Sequence, residues 1–212
     1  MLGIDESLSQ IGQAKSSENQ TPTNIKYEVA SAEDMPVESG SVDLVTAAQC
    51  IHWLNESSFY QEVKRVLKPG SGCLAVITYG NPIIKYNTDP AKSTELTEIS
   101  DEYFAYFRDH KFMDERAVKI KYHPEQFVVP FSNTIRDRSL YMEKSCSLAE
   151  YIGYISSTTF YNNYVEANPA DNQFLQRLEY RMQKVMGDDA GLSDSPLTVQ
   201  FLLDVILSQP DQ

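Results

Sequence analysis

The stretch "MLGIDES", Met1 to Ser7, decides the fold. A short apolar run ends in Asp5, and a serine then opens a segment with helical spacing. In an open α/β sheet a buried strand ends in this way, with its last polar residue at the carboxyl edge where ligands bind. Downstream, "SLSQIGQAK" puts Leu8, Ile11 and Lys15 at helical spacing, and Ser7 with Gln10 fits a capping box. After a polar loop from Ser16 to Asn24, "IKYEVA" alternates as a strand, "EDMPVESGS" is a turn-rich connector and "VDLVTAA" is an apolar strand. "SFYQEVKRVL" is an amphipathic helix. Phe59, Val63, Val66 and Leu67 share its face, Ser58 and Gln61 fit its cap, and Pro69-Gly70 stops it. "CLAVITY" is the nearly continuous apolar run of a strand buried on both faces. Residues 1–80 therefore read β-α-β-loop-β-α-β, which predicts parallel crossovers and a doubly wound sheet.

The pattern changes after Tyr79. "STELTEISDEYFAYFRDH" reads as a helix, and an irregular stretch is expected to about Asn133. "SLYMEKS" alternates like a strand. "SLAEYIGYISSTTFYNNYVEA" and "DNQFLQRLEYRMQKVM" read as two helices, and "LTVQFLLDVIL" as a strand or short helix. The expected organisation is one domain over residues 1–212, with a cofactor-binding core in 1–85 and substrate-side helices and final strands in 86–212.

Composition narrows the function classes. With 18 Lys and Arg against 30 Asp and Glu, a net charge of −12, the chain lacks the cations that phosphate backbones demand, so no nucleic-acid partner is expected. No apolar run is long enough to span a bilayer and no secretory signal opens the chain, so the expected location is cytoplasmic, with no membrane partner. Three cysteines at wide spacing suggest reduced thiols, and three scattered histidines predict no metal site.

Several residues fall at the carboxyl ends of the expected strands. Asp5 there could accept hydrogen bonds from both hydroxyls of a ribose, or serve only to stabilise the start of the next helix. "SAEDMP" could recognise the edge of an adenine, or be a solvated turn. In "AAQCIHWLN", Gln49, His52 and Trp53 are costly at a strand end unless they line a cleft, although a core Trp beside a hydrogen-bonded His fits too. "YQEVK", Tyr60 to Lys64, imitates the Tyr-x-x-x-Lys of short-chain dehydrogenases, but it lies in a helix with no Ser-bearing strand before it, so both residues are expected on the helix surface. Asn55 in "NES" is a glycosylation sequon only in a secreted protein.

Taken together, "GIDES", "VASAEDMPVESGSVDLVTAAQCIHWL" and "EVKRVLKPGSGCLAVITYG" resemble the class I S-adenosylmethionine-dependent methyltransferases, most closely the small-molecule branch that includes the trans-aconitate methyltransferases. The likeness is strong over residues 1–85. Later, "SLAEYIGYISSTTFYNNY" is similar to the helix that this branch sets over its substrate. The resemblance implies a Rossmann-like, doubly wound, mostly parallel α/β sheet with a helical cap in the second half. It implies that Asp5 holds the ribose of S-adenosylmethionine, that Ser31, Ala32 and Glu33 flank the adenine, and that Ala48 and Gln49 lie near the methionine part. His52 would be the catalytic candidate. Trp53, Tyr79, Tyr86, Tyr154 and Tyr161 would face a small-molecule acceptor, an organic acid being the expected class. The chain would act as a monomer or weak homodimer.

One departure stands out. The family sheet, ordered 3-2-1-4-5-7-6, begins with a central strand followed by a GxGxG turn that cradles the cofactor's amino-acid end. These residues begin at the second strand and contain no GxGxG. The resemblance therefore implies a fold incomplete at its N-terminus, with "MLGI" and "VDLVTAA" each left an unpaired edge unless the strands pair differently, and weak or absent cofactor binding by this chain. The competing readings are a truncated, non-catalytic methyltransferase-like protein acting as a binding or regulatory partner, and a different nucleotide enzyme such as a dehydrogenase.

Overall fold

The computed structural model describes residues 1–16, 24–187 and 196–211. The loop expected from Ser16 to Asn24 lies largely outside them. The described chain forms two compact units: Met1–Ile77 with Val128–Arg136 and Ile206–Gln212, and Thr78–Phe127 with Asp137–Val205. Two later segments of the chain, 128–136 and 206–212, thus return to the first unit.

In the first unit, β1 (Leu2–Asp5) leads into α1 (Leu8–Ser16) and then β2 (Lys26–Val29). β1 and β2 pair in parallel, Leu2 opposite Lys26 through Asp5 opposite Val29. Gly3 faces Tyr27 in this ladder, and a Cβ on Gly3 would come within 2.8 Å of the tyrosine ring. β3 (Leu44–Ala48), α2 (Glu56–Val66) and β4 (Cys73–Tyr79) form the next parallel crossover, with Leu44 opposite Cys73. Phe59, Val63 and Val66 of α2 and Leu74 and Val76 of β4 are fully buried, as the apolar stripe and the apolar run require. β6 (Asn133–Asp137) meets the end of β8 (Leu197–Gln209), where Thr134 Oγ1 and Ser208 Oγ lie 2.7 Å apart.

Among the described residues β1 pairs only with β2, and the two strands are not joined to β3. Both edges expected to be open are open. Val29 and Leu44 remain 45% and 52% exposed, so water reaches the strand edges.

Three local expectations for this unit are corrected. α2 starts at Glu56, capped by Asn55, whose side chain accepts the Ser58 N–H at 3.1 Å. Ser58 is thus inside the helix. Tyr60 is buried, packed edge-on against Phe131 with ring centroids 5.7 Å apart; only Lys64 of the expected surface pair reaches solvent, its Nζ 5.5 Å from the same ring. The Ser7–Gln10 cap is weak at 3.4 Å, and the Ser7 N–H is taken by Asp5.

The second unit packs helices on an antiparallel sheet. β5 (Ile83–Tyr86) and β7 (Tyr141–Cys146) pair with β8, Ile83 opposite Gln200 and Tyr141 opposite Leu202. Leu197, Val199 and Phe201 are buried in alternation, which settles the last apolar segment as a strand. α3 (Ser93–Asp109) turns Leu96, Ile99, Phe104 and Phe107 inward, and α7 (Phe174–Met186) presents Phe174, Leu178, Met182 and Met186. These join Tyr151 and Ile155 in one apolar core.

Here too the structure corrects the reading. The supposedly irregular stretch holds α4 (Glu115–Tyr122), capped by Asp114, and a 3-10 turn at Pro124–Gln126. The tyrosine-rich helix is two, α5 (Leu148–Ser156) and α6 (Thr159–Ala167), because Thr158 leaves helical geometry and caps the second. β5 and β6 were not anticipated.

Candidate functional site

In the first unit the three strand exits converge. Asp5 ends β1 with an exposed carboxylate, and its Oδ1 accepts the Ser7 N–H at 2.7 Å. It therefore caps α1, and its other oxygen makes no hydrogen bond among the described residues. The Ala30 N–H donates to the Asp5 carbonyl at 3.2 Å, which sets the loop after β2 beside the end of β1. In that loop Ser31 Oγ donates to Glu33 Oε2 at 2.5 Å, and Glu33 Oε1 accepts the Asn55 N–H at 2.7 Å. Partial burial raises the Glu33 pKa, but these bonds outweigh it and hold the carboxyl below its usual range. Both Glu33 oxygens are thus occupied in joining the β2 exit to the start of α2. Ala32 between them is half-buried.

Ala48, the last residue of β3, is exposed, and Gln49 just beyond it has φ 51°, a left-handed conformation rare for a side-chain-bearing residue and concentrated at functional sites. The Gln49 N–H donates to the Ile77 carbonyl at 2.9 Å. Burial, and after it the Asp5 carboxylate, push the Cys50 thiol up, which sets the β1 and β3 exits close together. A turn closed by the Trp53 N–H on the Cys50 carbonyl at 2.9 Å presents His52 and Trp53, with ring centroids 4.8 Å apart. Trp53 is 57% exposed, a flat apolar wall facing solvent rather than a core residue.

A cavity of about 600 Å³ in this unit is lined by Lys68, Gly70 and Gly72 at the amino end of β4 and by Asn133, Gln209 and Asp211. It lies at the wrong end of the parallel strands for an α/β ligand site.

In the second unit, Tyr79 and Tyr154 meet on Phe201, with ring centroids 4.9 and 5.6 Å away. Burial pushes the Tyr154 hydroxyl well up. The other two expected acceptor residues do not join them. Tyr86 is wholly buried in the core, its backbone N–H held by Ser93 Oγ at 2.9 Å. Tyr161 packs on Phe107, Tyr164 and Phe174. Around the end of β4 the structure instead assembles residues that carried no sequence signal. Asn81 donates to Asp101 at 2.8 Å and Tyr122 donates to Asn81 at 3.4 Å, and elsewhere in this unit Ser100 and Tyr151 share a buried 2.5 Å hydrogen bond. Among the described residues no cluster of His, Cys, Asp or Glu is placed to hold a metal, and no helix is long and apolar enough to cross a membrane.

These features define an α/β protein whose candidate ligand site is formed by the loops beyond its parallel strands. The comparisons with known proteins specify it further. A model of the methyltransferase domain matches residues 1–75. The chain is 34% identical over 215 residues to a protein of Dictyostelium discoideum described as a methyltransferase, an alignment covering 100% of this chain and 74% of that protein. A Schizosaccharomyces pombe protein described as a methyltransferase is 46% identical over 54 residues, 26% of this chain and 21% of its own. The fold matches a solved structure from Anaeromyxobacter dehalogenans, described as a type II methyltransferase, at TM-score 0.70 and 23% identity over 99% of this chain and 81% of that one. The chain belongs to the methyltransferase family.

Proposed function

We propose that this chain uses S-adenosylmethionine to methylate a small molecule, an oxygen of an organic acid. The observation that carries the reading is the convergence of the exposed Asp5 carboxylate, the Ser31–Glu33 corner and the strained Gln49 at one set of strand exits. The residues present suit the nucleoside end of that cofactor. A carboxylate with an open oxygen matches vicinal ribose hydroxyls, and the backbone around Ala32 offers an edge to a flat base. Bound, the cofactor supplies a methyl group made electrophilic by its sulfonium. Asp5 then fixes the ribose, Ser31 and Ala32 border the base, and Ala48 and Gln49 lie toward the methionine part. Trp53 serves the acceptor. A carboxylate acceptor is already ionised at neutral pH, so the residues have only to orient it, and orientation is worth about 7–11 kcal/mol of barrier. For a hydroxyl acceptor His52 is the base. Within the family, the likeness to the trans-aconitate branch supports the acid over other acceptors.

The test is transfer of label from methyl-labelled S-adenosylmethionine, at millimolar concentration, to a panel of di- and tricarboxylic acids. Label released as methanol by mild base marks a methyl ester and is the expected result. A base-stable product, or no transfer, overturns the reading. Asp5→Asn keeps an acceptor for the Ser7 N–H but removes the charge that the ribose meets. It is expected to weaken adenosyl-ligand binding about tenfold, roughly 1.4 kcal/mol, with an unchanged circular dichroism spectrum.

A further inference from the structure

A cavity of about 320 Å³ lies wholly within the second unit, at the lower end of the roughly 300–1,000 Å³ that small-molecule sites occupy. Helical spacing builds it. On α7, Phe174, Arg177 and Arg181 stand at i, i+3 and i+7, on one face; on α3, Tyr103 and Tyr106 stand at i and i+3. None of the residues that the proposed function assigns to cofactor or acceptor lines it.

One part of the lining is aromatic. The buried Phe174 ring has its centroid 4.4 Å from that of Tyr164, 5.1 Å from that of Tyr103 and 5.5 Å from that of Tyr106. Tyr103 and Tyr106 are only half-buried, so the chain itself covers this cluster incompletely. The other part is charged. The guanidinium carbon of Arg177 stands 5.7 Å from the Phe174 centroid, and that of Arg181 5.9 Å from the Tyr103 centroid.

The hydrogen bonds decide which sign of charge the cavity can take. Asp171 is full. Its Oδ1 accepts the Gln173 N–H and Arg177 Nη1, both at 3.0 Å, and its Oδ2 accepts the Tyr164 hydroxyl and Arg177 Nη2. A carboxylate offers about four such positions, so nothing is left for an incoming cation. Glu102, the other acid in the lining, already holds Arg181 Nη2 at 2.7 Å. A guanidinium carries five N–H donors. Arg177 spends two on Asp171 and one on the Tyr164 hydroxyl, and Arg181 bonds Glu102 and the Tyr103 hydroxyl, so each keeps donors to spare. The surplus is of donors beside aromatic faces.

We infer that this cavity is a second ligand site, for a small aromatic carboxylate: its ring lies on Tyr103, Tyr106 and Phe174, and its acidic group meets the spare donors of Arg177 and Arg181. Planar guanidiniums suit both parts of such a ligand, since they pair with carboxylates and stack on rings. The site does not depend on the methyl-transfer reading.

Ligand-observed NMR titration of the whole chain, without cofactor, compares benzoate with benzamide, cyclohexanecarboxylate and benzylamine. These remove the charge, remove the aromatic face and reverse the charge. Benzoate is expected to bind with a dissociation constant at or below about 1 mM, and each of the others at least about tenfold more weakly. These comparisons need no variant. Arg181→Gln and Tyr103→Leu, checked for folding by circular dichroism, should each weaken benzoate at least about fivefold, while Arg108→Gln, which removes a guanidinium outside the cavity, leaves it unchanged. Absence of benzoate binding, equal binding of any other probe, an unchanged affinity in a folded Arg181→Gln or Tyr103→Leu, or an equal loss in Arg108→Gln overturns the site.

Discussion

Glu62, 8% exposed on α2, is a residue whose single charge organises a loop. Its carboxylate accepts the Met35 N–H at 2.6 Å and grips Arg65 through Nε at 2.7 Å and Nη2 at 2.6 Å. Arg65 in turn donates to the carbonyls of Val37 and Met35. The connector after Glu33 is thereby pinned to α2. The Arg65 bond, against burial, holds the Glu62 carboxyl below its usual range. The unfolded chain therefore binds this proton more readily than the folded one. The resulting stability is complete above the unfolded pKa of about 4.3 and is lost as pH falls toward the folded value. Glu62→Gln should cost about 1–3 kcal/mol at neutral pH, read by urea unfolding, with the gap to the unaltered chain narrowing on acidification. A gap that stays constant down to pH 3 contradicts the charge argument. Burial pushes the pKa of Lys121 on α4 down to about 8, so that about half the amines are neutral at that pH, against under one in a hundred for an ordinary lysine. Limiting acetic anhydride at pH 8 should acetylate Lys121 ahead of exposed lysines such as Lys15, as peptide mass spectrometry would show. Neither behaviour was visible in the sequence. Lysine and glutamate are commonplace on helices, and only the packing around each sets its environment.

At the scale of elements, α2 carries a sharp test. Sequence spacing pointed to Ser58 as its cap, and the structure gives the role to Asn55, whose backbone is also held by Glu33. Asn55→Ala should cost about 1 kcal/mol in unfolding free energy, and Ser58→Ala less than about 0.5 kcal/mol. The reverse order would restore the spacing argument. The elements read correctly include α1, α2, α3 and α7 and the strands β1, β2, β3, β4 and β7, whose apolar pattern or turn-rich flanks mark them out. Those missed are short. α4 has eight residues, with only Asp114 before it and Pro124 after it as signals. The break between α5 and α6 is written in "SSTT", where side chains can hold helix ends but do not have to. β5 and β6 gain their pairing from β8, far along the chain, and four or five residues carry too little pattern to announce that.

For the whole molecule, the parallel crossovers of the first unit follow the order that the sequence implied, and the chain spans most of the Dictyostelium relative. The β1–β2 pair and β3 share no ladder among the described residues, so the two groups of loops that would hold S-adenosylmethionine are not tied by strand hydrogen bonds. The partial exposure of Val29 and Leu44 lets water satisfy the open edges and spares the fold the full burial cost, but a ligand bridging these loops must order them as it binds. Calorimetry on the 212-residue chain should therefore find S-adenosylmethionine binding weaker than micromolar. A micromolar affinity would show that the loops are already held. By itself the sequence determined the alternation of strand and helix in the first 80 residues, and with it the carboxyl-edge positions of Asp5, Ser31, Gln49 and Trp53, because those follow from local periodicity and chain order. Only the tertiary structure decided that Glu33 is consumed in a loop-to-helix tie, that Tyr86 is core while Tyr79 and Tyr154 meet on Phe201, and that Arg177 and Arg181 stand over aromatic rings. Those outcomes depend on desolvation and on partners distant in sequence, which no local pattern encodes.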